Sequence, residues 1–223
     1  MKIHNFTQGE SIDELVLSEW EKIRKGKITG TSFKKLITPE TLKPISKKDK
    51  SLPDAFKEVI YSKKIFRDSF APTSKSITLG KENENNAFLL YKERNCSAKI
   101  ELCGFIENEN YHFGYAGYSP DGLVYEGKNL GIIEIKTQCP KKHFTCVDGD
   151  FTVWLKEYKT QILLAMTLCP EIKFCDCISY NPDVIEEYSD QAIAIYRYHR
   201  NDEEIEKAKL VLDYWVEELK KYK

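Results

Sequence analysis

No run of about eighteen apolar residues occurs anywhere in this 223-residue chain, so no membrane-spanning helix is expected. The opening Met1 to Thr7 lacks the apolar stretch of a secretory signal. Seven cysteines are present (96, 103, 139, 146, 169, 175 and 177), yet no two stand in a Cys-x-x-Cys pair. That spacing excludes the usual zinc-knuckle and iron–sulfur frameworks. In a chain without an export signal, free thiols in a reducing cytoplasm are expected instead. The four histidines, His4, His112, His143 and His199, form no metal-spaced pair and receive no role. A net charge of −1 argues against wholesale coating of nucleic acid.

The near-neutral total hides an uneven distribution. Residues 1–75 carry 16 Lys/Arg against 10 Asp/Glu, and the remainder 18 against 25. The span 20–50 alone holds 10 basic and 3 acidic side chains. By itself such a run is a solvated, lysine-rich face. Next to a cation-binding carboxylate cluster it becomes the positive wall that a phosphate backbone requires.

Such a cluster is legible between Tyr118 and Lys136. Leu123–Tyr125 and Ile132–Ile135 are β-prone, and the stretch from Gly127 to Asn129 is turn-rich. A loop of two or four residues pairs 126 with 129 or 131, and either register brings Asp121, Glu134 and Lys136 to one face. Ser119-Pro120-Asp121-Gly122 sets the aspartate in a fixed turn. Ile132, Ile133 and Ile135 form a buried-type run, so Glu134 and Lys136 stand at a core edge, where uncompensated charge is costly.

Two carboxylates and an ammonium at that spacing suit metal-assisted phosphodiester hydrolysis. Hard Mg²⁺, with Mn²⁺ as a substitute, takes one or two carboxylates together with phosphate oxygens and waters. The expected ligands are Asp121, Glu134 and the main-chain carbonyl of Ile135. Lys136 is expected to position or help deprotonate the attacking water.

Along the rest of the chain, Ser11 and Glu14 form a capping box for a helix that ends at Gly26, with Ile12, Leu15, Val16, Trp20 and Ile23 on its apolar face. Further helices are expected over 33–37, 53–66, 79–94, 153–168 and 202–221, and strands near 98–106, 111–118, 122–126, 131–136, 173–180 and 192–198. The last helix carries an apolar stripe, Ile205, Ala208, Leu212, Trp215 and Leu219. The order of elements gives an α+β fold with helices flanking a mixed sheet.

At the hairpin the chain resembles the lambda exonuclease family, or YqaJ-like viral recombinases, of the PD-(D/E)XK nuclease superfamily. The matching residues are Ser119 to Leu123 and Ile133 to Lys136. Four further blocks agree in order: Arg24 to Thr31, Gly80 to Glu84 with Ala87 and Tyr91, Tyr158 to Gln161, and Phe174 to Pro182. One departure is clear: Thr137 and Gln138 separate Lys136 from Cys139 and Pro140, which in the family follow the lysine directly.

The resemblance implies a single domain over 1–223, with a restriction-endonuclease-like core and helices on both faces of a mixed sheet. Residues 1–75 would form a helical, basic part that binds DNA ends, 76–200 the catalytic core, and 201–223 a C-terminal helix. It adds Glu84 as a further metal or water ligand and Gln161 as a polar contact to Lys136, the water or the scissile strand. It places Arg24, Thr31 and Ser119 around a terminal 5′-phosphate, where an arginine fork suits bidentate contact. It implies 5′-to-3′ degradation of linear double-stranded DNA, a homotrimeric ring, and cooperation with a single-strand annealing protein in phage or prophage recombination. Two other functions compete: a sequence- or structure-selective endonuclease with the same metal site, and a non-catalytic DNA-binding scaffold.

Overall fold

The hairpin forms the middle of the molecule. In the computed structural model, which describes residues 1–6, 18–46, 51–65 and 75–222 (75–82 for the backbone alone), β4 is Gly122–Glu126 and β5 is Asn129–Thr137. Their antiparallel register runs from Gly122 opposite Ile133 to Glu126 opposite Asn129. The connection is therefore the shorter of the two loops the sequence allows, and the 126–131 and 121–136 pairings of the longer one do not form. Gly127 turns the chain at φ +60° while Lys128 stays at negative φ. That is the type II′ pattern, whose twist matches the flanking strands.

β5 then runs parallel to β6 (Ile172–Tyr180), and β6 antiparallel to β7 (Ile193–His199). On the other side β2 (Lys99–Glu101) pairs with β4, so the mixed sheet has five strands in the order β2-β4-β5-β6-β7. Successive residues of β5 enter two different cores, as the pleat demands. Ile133 and Ile135 pack with Val124, Ile178 and Phe174 against Ala87, Phe88 and Tyr91 of α4 (Lys75–Arg94). Ile132 packs with Cys175 and Cys177 in the larger core, shared with α6 (Thr152–Leu168) and α7 (Asp202–Lys220). Helices cover both faces, the α+β arrangement expected.

The same larger core takes in the amino-terminal third. Ile28, Phe33 and Leu36 around α2 (Gly30–Lys34), and Phe56 of α3 (Asp54–Ser62), are fully buried in it. Trp215 of α7 packs against Phe56 with ring centroids 4.8 Å apart and the planes tilted by 43°, and donates its indole N–H to the Leu36 carbonyl at 2.9 Å. The stripe expected on the last helix is thus core.

Several expectations are corrected. Residues 1–75 are not helical throughout: β1 (Lys2–His4) pairs with β3 (Phe105–Glu107) in a separate two-stranded sheet. The strand expected over 98–106 is split between the two sheets at Gly104, where an added Cβ would meet the His4 carbonyl at 2.7 Å. Residues 111–118 make only isolated bridges, because His112 (φ +53°) and Gly114 (φ +75°) turn the backbone out of the extended region. An unexpected helix, α5 (Pro140–Val147), begins with proline at its first turn, where the missing N–H costs nothing. The Ser11 capping box lies outside the described residues. The described helix α1 (Glu19–Arg24) is capped by Ser18 and Glu21, each accepting from the other's backbone N–H. α2 starts at Gly30 rather than Phe33, and the fourth helix at Lys75 rather than Leu79.

Candidate active site

Asp121 leaves the turn just before β4, and its carboxylate Oδ2 accepts the Ile135 backbone N–H across the hairpin at 2.6 Å. Glu134 projects from β5 and is almost fully buried. Lys136, two residues on and so on the same face, places its Nζ 2.6 Å from Glu134 Oε1 and 4.0 Å from Asp121 Oδ2. The same ammonium donates to the Ile135 carbonyl at 2.9 Å. The three residues read from the sequence are brought together, and so is the carbonyl.

Charge in this pocket is strongly coupled. Burial raises the Asp121 carboxyl well above its ordinary pKa; Lys136 pulls it back, while Glu134 and Glu84 push it further up. Burial works to lower Lys136, but Glu134 and Asp121 outweigh it and hold the ammonium above its usual value. Glu84 in α4 is half-buried, and its charge is felt at both Asp121 and Lys136, but it does not join Asp121 and Glu134 in a metal-sized group as the resemblance implied.

Among the described residues no three His, Cys, Asp or Glu side chains gather into a metal-sized group. The site offers two carboxylates and a carbonyl, the kind of set that suits a hard cation retaining several waters. Glu134 Oε1 and the Ile135 carbonyl already share one positive charge, the Lys136 ammonium. These oxygens therefore face a common cation position, and the donor set fits Mg²⁺.

Tyr118 was missed by sequence reasoning. Fully buried, it donates its phenol O–H to Glu134 Oε2 at 2.5 Å and fixes the carboxylate's second oxygen. Burial, then the Glu134 charge, raises its pKa well above the ordinary value, so it stays a donor. Its ring lies against Gly30, where a Cβ would come within 2.7 Å of Tyr118 Cε2 and 3.5 Å of Gln161 Cβ. Gln161 is thereby placed beside Gly30 and Tyr118. Its helical neighbour Tyr158 carries Lys136 Nζ 5.5 Å from its ring centroid.

Arg24 and Ser119 are in direct contact, with Arg24 Nη1 donating to Ser119 Oγ at 3.1 Å. Trp20, which the sequence placed on an apolar helix face, donates its indole N–H to the same oxygen at 3.0 Å, and its ring lies 4.1 Å from the Arg24 guanidinium carbon. Burial brings the Arg24 pKa down to about 10, so the half-buried guanidinium is charged at neutral pH. No carboxylate pairs with it among the described residues. Thr31 is not brought in: it is exposed, without a hydrogen bond to Arg24 or Ser119.

The two residues that interrupt the Lys-Cys-Pro pattern leave the cluster intact. β5 simply continues through Thr137, and Gln138 is buried, with its backbone N–H on the Tyr180 carbonyl and its own carbonyl accepting from Asn181.

The chain is similar in fold to an alkaline exonuclease, LHK-Exo, from Laribacter hongkongensis, with TM-score 0.69 and 24% identity over 91% of this chain and 92% of that one. The same enzyme in complex with dAMP gives 0.68 and 23% over the same shares. A phage-related exonuclease from Haemophilus somnus gives 0.59 and 17%, over 90% of this chain and 98% of that one. At these identities the likeness is one of fold. No curated protein sequence matches. The YqaJ-like viral recombinase domain matches residues 19–169, the span that holds Arg24, Glu84, Ser119, Asp121, Glu134, Lys136 and Gln161, and the chain belongs to that family.

Proposed function

We propose that this protein is a Mg²⁺-dependent exodeoxyribonuclease that degrades the 5′-ended strand of linear duplex DNA in phage-type recombination. The observation that carries the reading is the convergence of Asp121, Glu134, the Ile135 carbonyl and Lys136 beside an Arg24 guanidinium without a carboxylate partner among the described residues. The dAMP complex of the Laribacter enzyme and the two exonuclease neighbours support the substrate class.

In the proposed reaction water attacks phosphorus, the P–O3′ bond breaks, the water gives up a proton and the leaving oxygen takes one. Bound at Asp121, Glu134 and the Ile135 carbonyl, Mg²⁺ (or Mn²⁺) would acidify the water and offset phosphate charge. Tyr118 holds Glu134 in place, and Lys136 orients the water and takes up charge on the phosphate. Glu84 and Gln161 would add polar contacts to water or the scissile strand. Arg24, stacked on Trp20 and bonded to Ser119, would receive the terminal 5′-phosphate; Thr31 would join only once DNA is bound. A trimeric ring, a single-strand annealing partner and a cytoplasmic location follow from family resemblance and belong to the same proposal. No helix among the described residues is long and apolar enough to cross a membrane.

The test is digestion of a linear duplex, each strand labelled separately, beside a covalently closed circle of the same sequence, with Mg²⁺. The reading expects loss of the 5′-ended strand from linear DNA and an intact circle. Efficient cutting of the circle would establish the endonuclease instead, and binding without hydrolysis the non-catalytic scaffold.

A further inference from the structure

Lys34, at the end of α2, is a second ammonium on the aromatic ring beside Lys136, and no sequence pattern marked it. Its Nζ lies 4.4 Å from the centroid of the Tyr158 ring, the ring that Lys136 Nζ also approaches, at 5.5 Å. The neighbouring lysines have acidic partners: Lys35 pairs with Glu58 at 3.8 Å, and Lys142 with Glu157. Lys34 has no carboxylate at ion-pairing distance among the described residues. It is half-buried, and burial lowers its pKa; Glu157 and Glu134 raise it, while Lys136 and Lys35 lower it. Its charge is therefore felt at Glu134 and Lys136.

The placement is built in rather than incidental. Phe33 and Leu36 are fully buried on either side of Lys34 in the chain, which anchors α2 against the core. Gly30 lets that helix approach Tyr118 and Gln161 closely. Lys136 is held by Glu134, whereas Lys34 is a partly desolvated ammonium on the same ring with another ammonium acting against it, so an added anion there is favoured. The carboxylates cannot fill that role if they hold a metal ion. A phosphodiester can.

We propose that Lys34 is a substrate-contacting catalytic residue: with Lys136, and carried on Tyr158, it binds a non-bridging oxygen of the phosphodiester being cut. The assignment rests on the nuclease reading above and extends it. It differs from the general attraction of a basic surface for DNA, because the contact is to the reacting phosphate and strengthens as charge builds there.

The experiment is single-turnover hydrolysis of a linear duplex with Mg²⁺, measuring the rate at saturating protein and the half-saturating concentration for wild type, Lys34→Met and Lys34→Arg. Melting temperatures are taken in parallel, and Lys34→Gln serves as a second variant if Lys34→Met melts early. The expected result for the methionine variant is a saturating rate down about ten- to a hundredfold, with half-saturation within about threefold of wild type. Arginine, which keeps the charge, should recover most of the loss. A distant backbone contact would show the reverse, a shifted half-saturation and salt slope with the saturating rate preserved, and would overturn the assignment. So would a rate loss that arginine does not relieve. If wild type cuts DNA and Lys34→Met cuts it equally fast, this inference alone falls. If wild type does not cut DNA, the nuclease reading falls and takes Lys34 with it.

Discussion

Lys136 Nζ lies 2.6 Å from Glu134 Oε1 and also donates to the Ile135 carbonyl, so the ammonium sits at the point on which the proposed metal-binding oxygens converge. Ammonium and divalent cation then compete for one position, and metal entry requires the lysine to swing toward the water and phosphate. Lys136→Met should therefore bind Mg²⁺ or Mn²⁺ at least as tightly as wild type, on the order of tenfold tighter, while hydrolysis falls by about a hundredfold or more. Calorimetry on the free protein reads the first effect independently of activity. Metal binding that fails in this variant would reassign Lys136 to a structural role.

Gly30 and Tyr118 are linked in the same way. Gly30→Ala sets a methyl 2.7 Å from Tyr118 Cε2, a buried ring whose hydroxyl holds Glu134, so the ring cannot yield freely. We expect a loss of about 1–3 kcal/mol in denaturant unfolding, as for other overpacked sites, with hydrolysis reduced by more than the stability loss explains. Wild-type stability and activity together would show that the Tyr118 contact is not needed.

The Arg24 pocket predicts end selection. Wild type should prefer 5′-phosphate over 5′-hydroxyl ends, and Arg24→Ala should lose that preference, at about 1.5–3 kcal/mol, or roughly ten- to a hundredfold in rate. Arg24→Lys should not restore it, since one ammonium cannot reproduce the planar fork. Rates measured on paired substrates decide the matter: equal slowing of both ends would make Arg24 a general backbone contact.

What the sequence disclosed and what it concealed divide on physical lines. Asp121, Glu134 and Lys136 lie within one hairpin, so the pleat and a short turn suffice to gather them. The α7 stripe is periodic and likewise local. Tyr118, Trp20 and Lys34 act through contacts that local periodicity cannot show, such as Trp20 to Ser119, 99 residues apart in sequence. Residues 111–118 alternate like a strand, yet His112 and Gly114 at positive φ override the pattern. β1 is too short to read, because its pairing with β3 is set by tertiary contact. Thr31 matched a motif, but motif identity fixes a residue's place in the chain and leaves open which way the side chain faces.

A pH effect is expected from His143, which was given no role from sequence. It is fully buried, donates Nε2–H to the Gln191 carbonyl at 2.7 Å, and accepts at Nδ1 from Ser179 Oγ at 2.9 Å. Burial lowers its pKa from 6.5, only partly opposed by the Gln191 bond. The folded protein therefore prefers neutral His143. Its contribution to stability is full above about 6.5, the unfolded value, and is lost as pH falls from there through the depressed folded value. Denaturant midpoints should drop between pH 7 and pH 5 more steeply for wild type than for His143→Gln. Parallel slopes would show that His143 accommodates a proton at no cost.

The most direct measurement is the single-turnover rate of Glu134→Gln on linear duplex DNA with Mg²⁺. The amide keeps the shape and the Tyr118 hydrogen bond but removes the charge that holds the cation. Fold and DNA binding should persist while hydrolysis disappears. More than about a tenth of the wild-type rate, a barrier change under ~1.4 kcal/mol, would contradict the account and remove Glu134 from the chemistry.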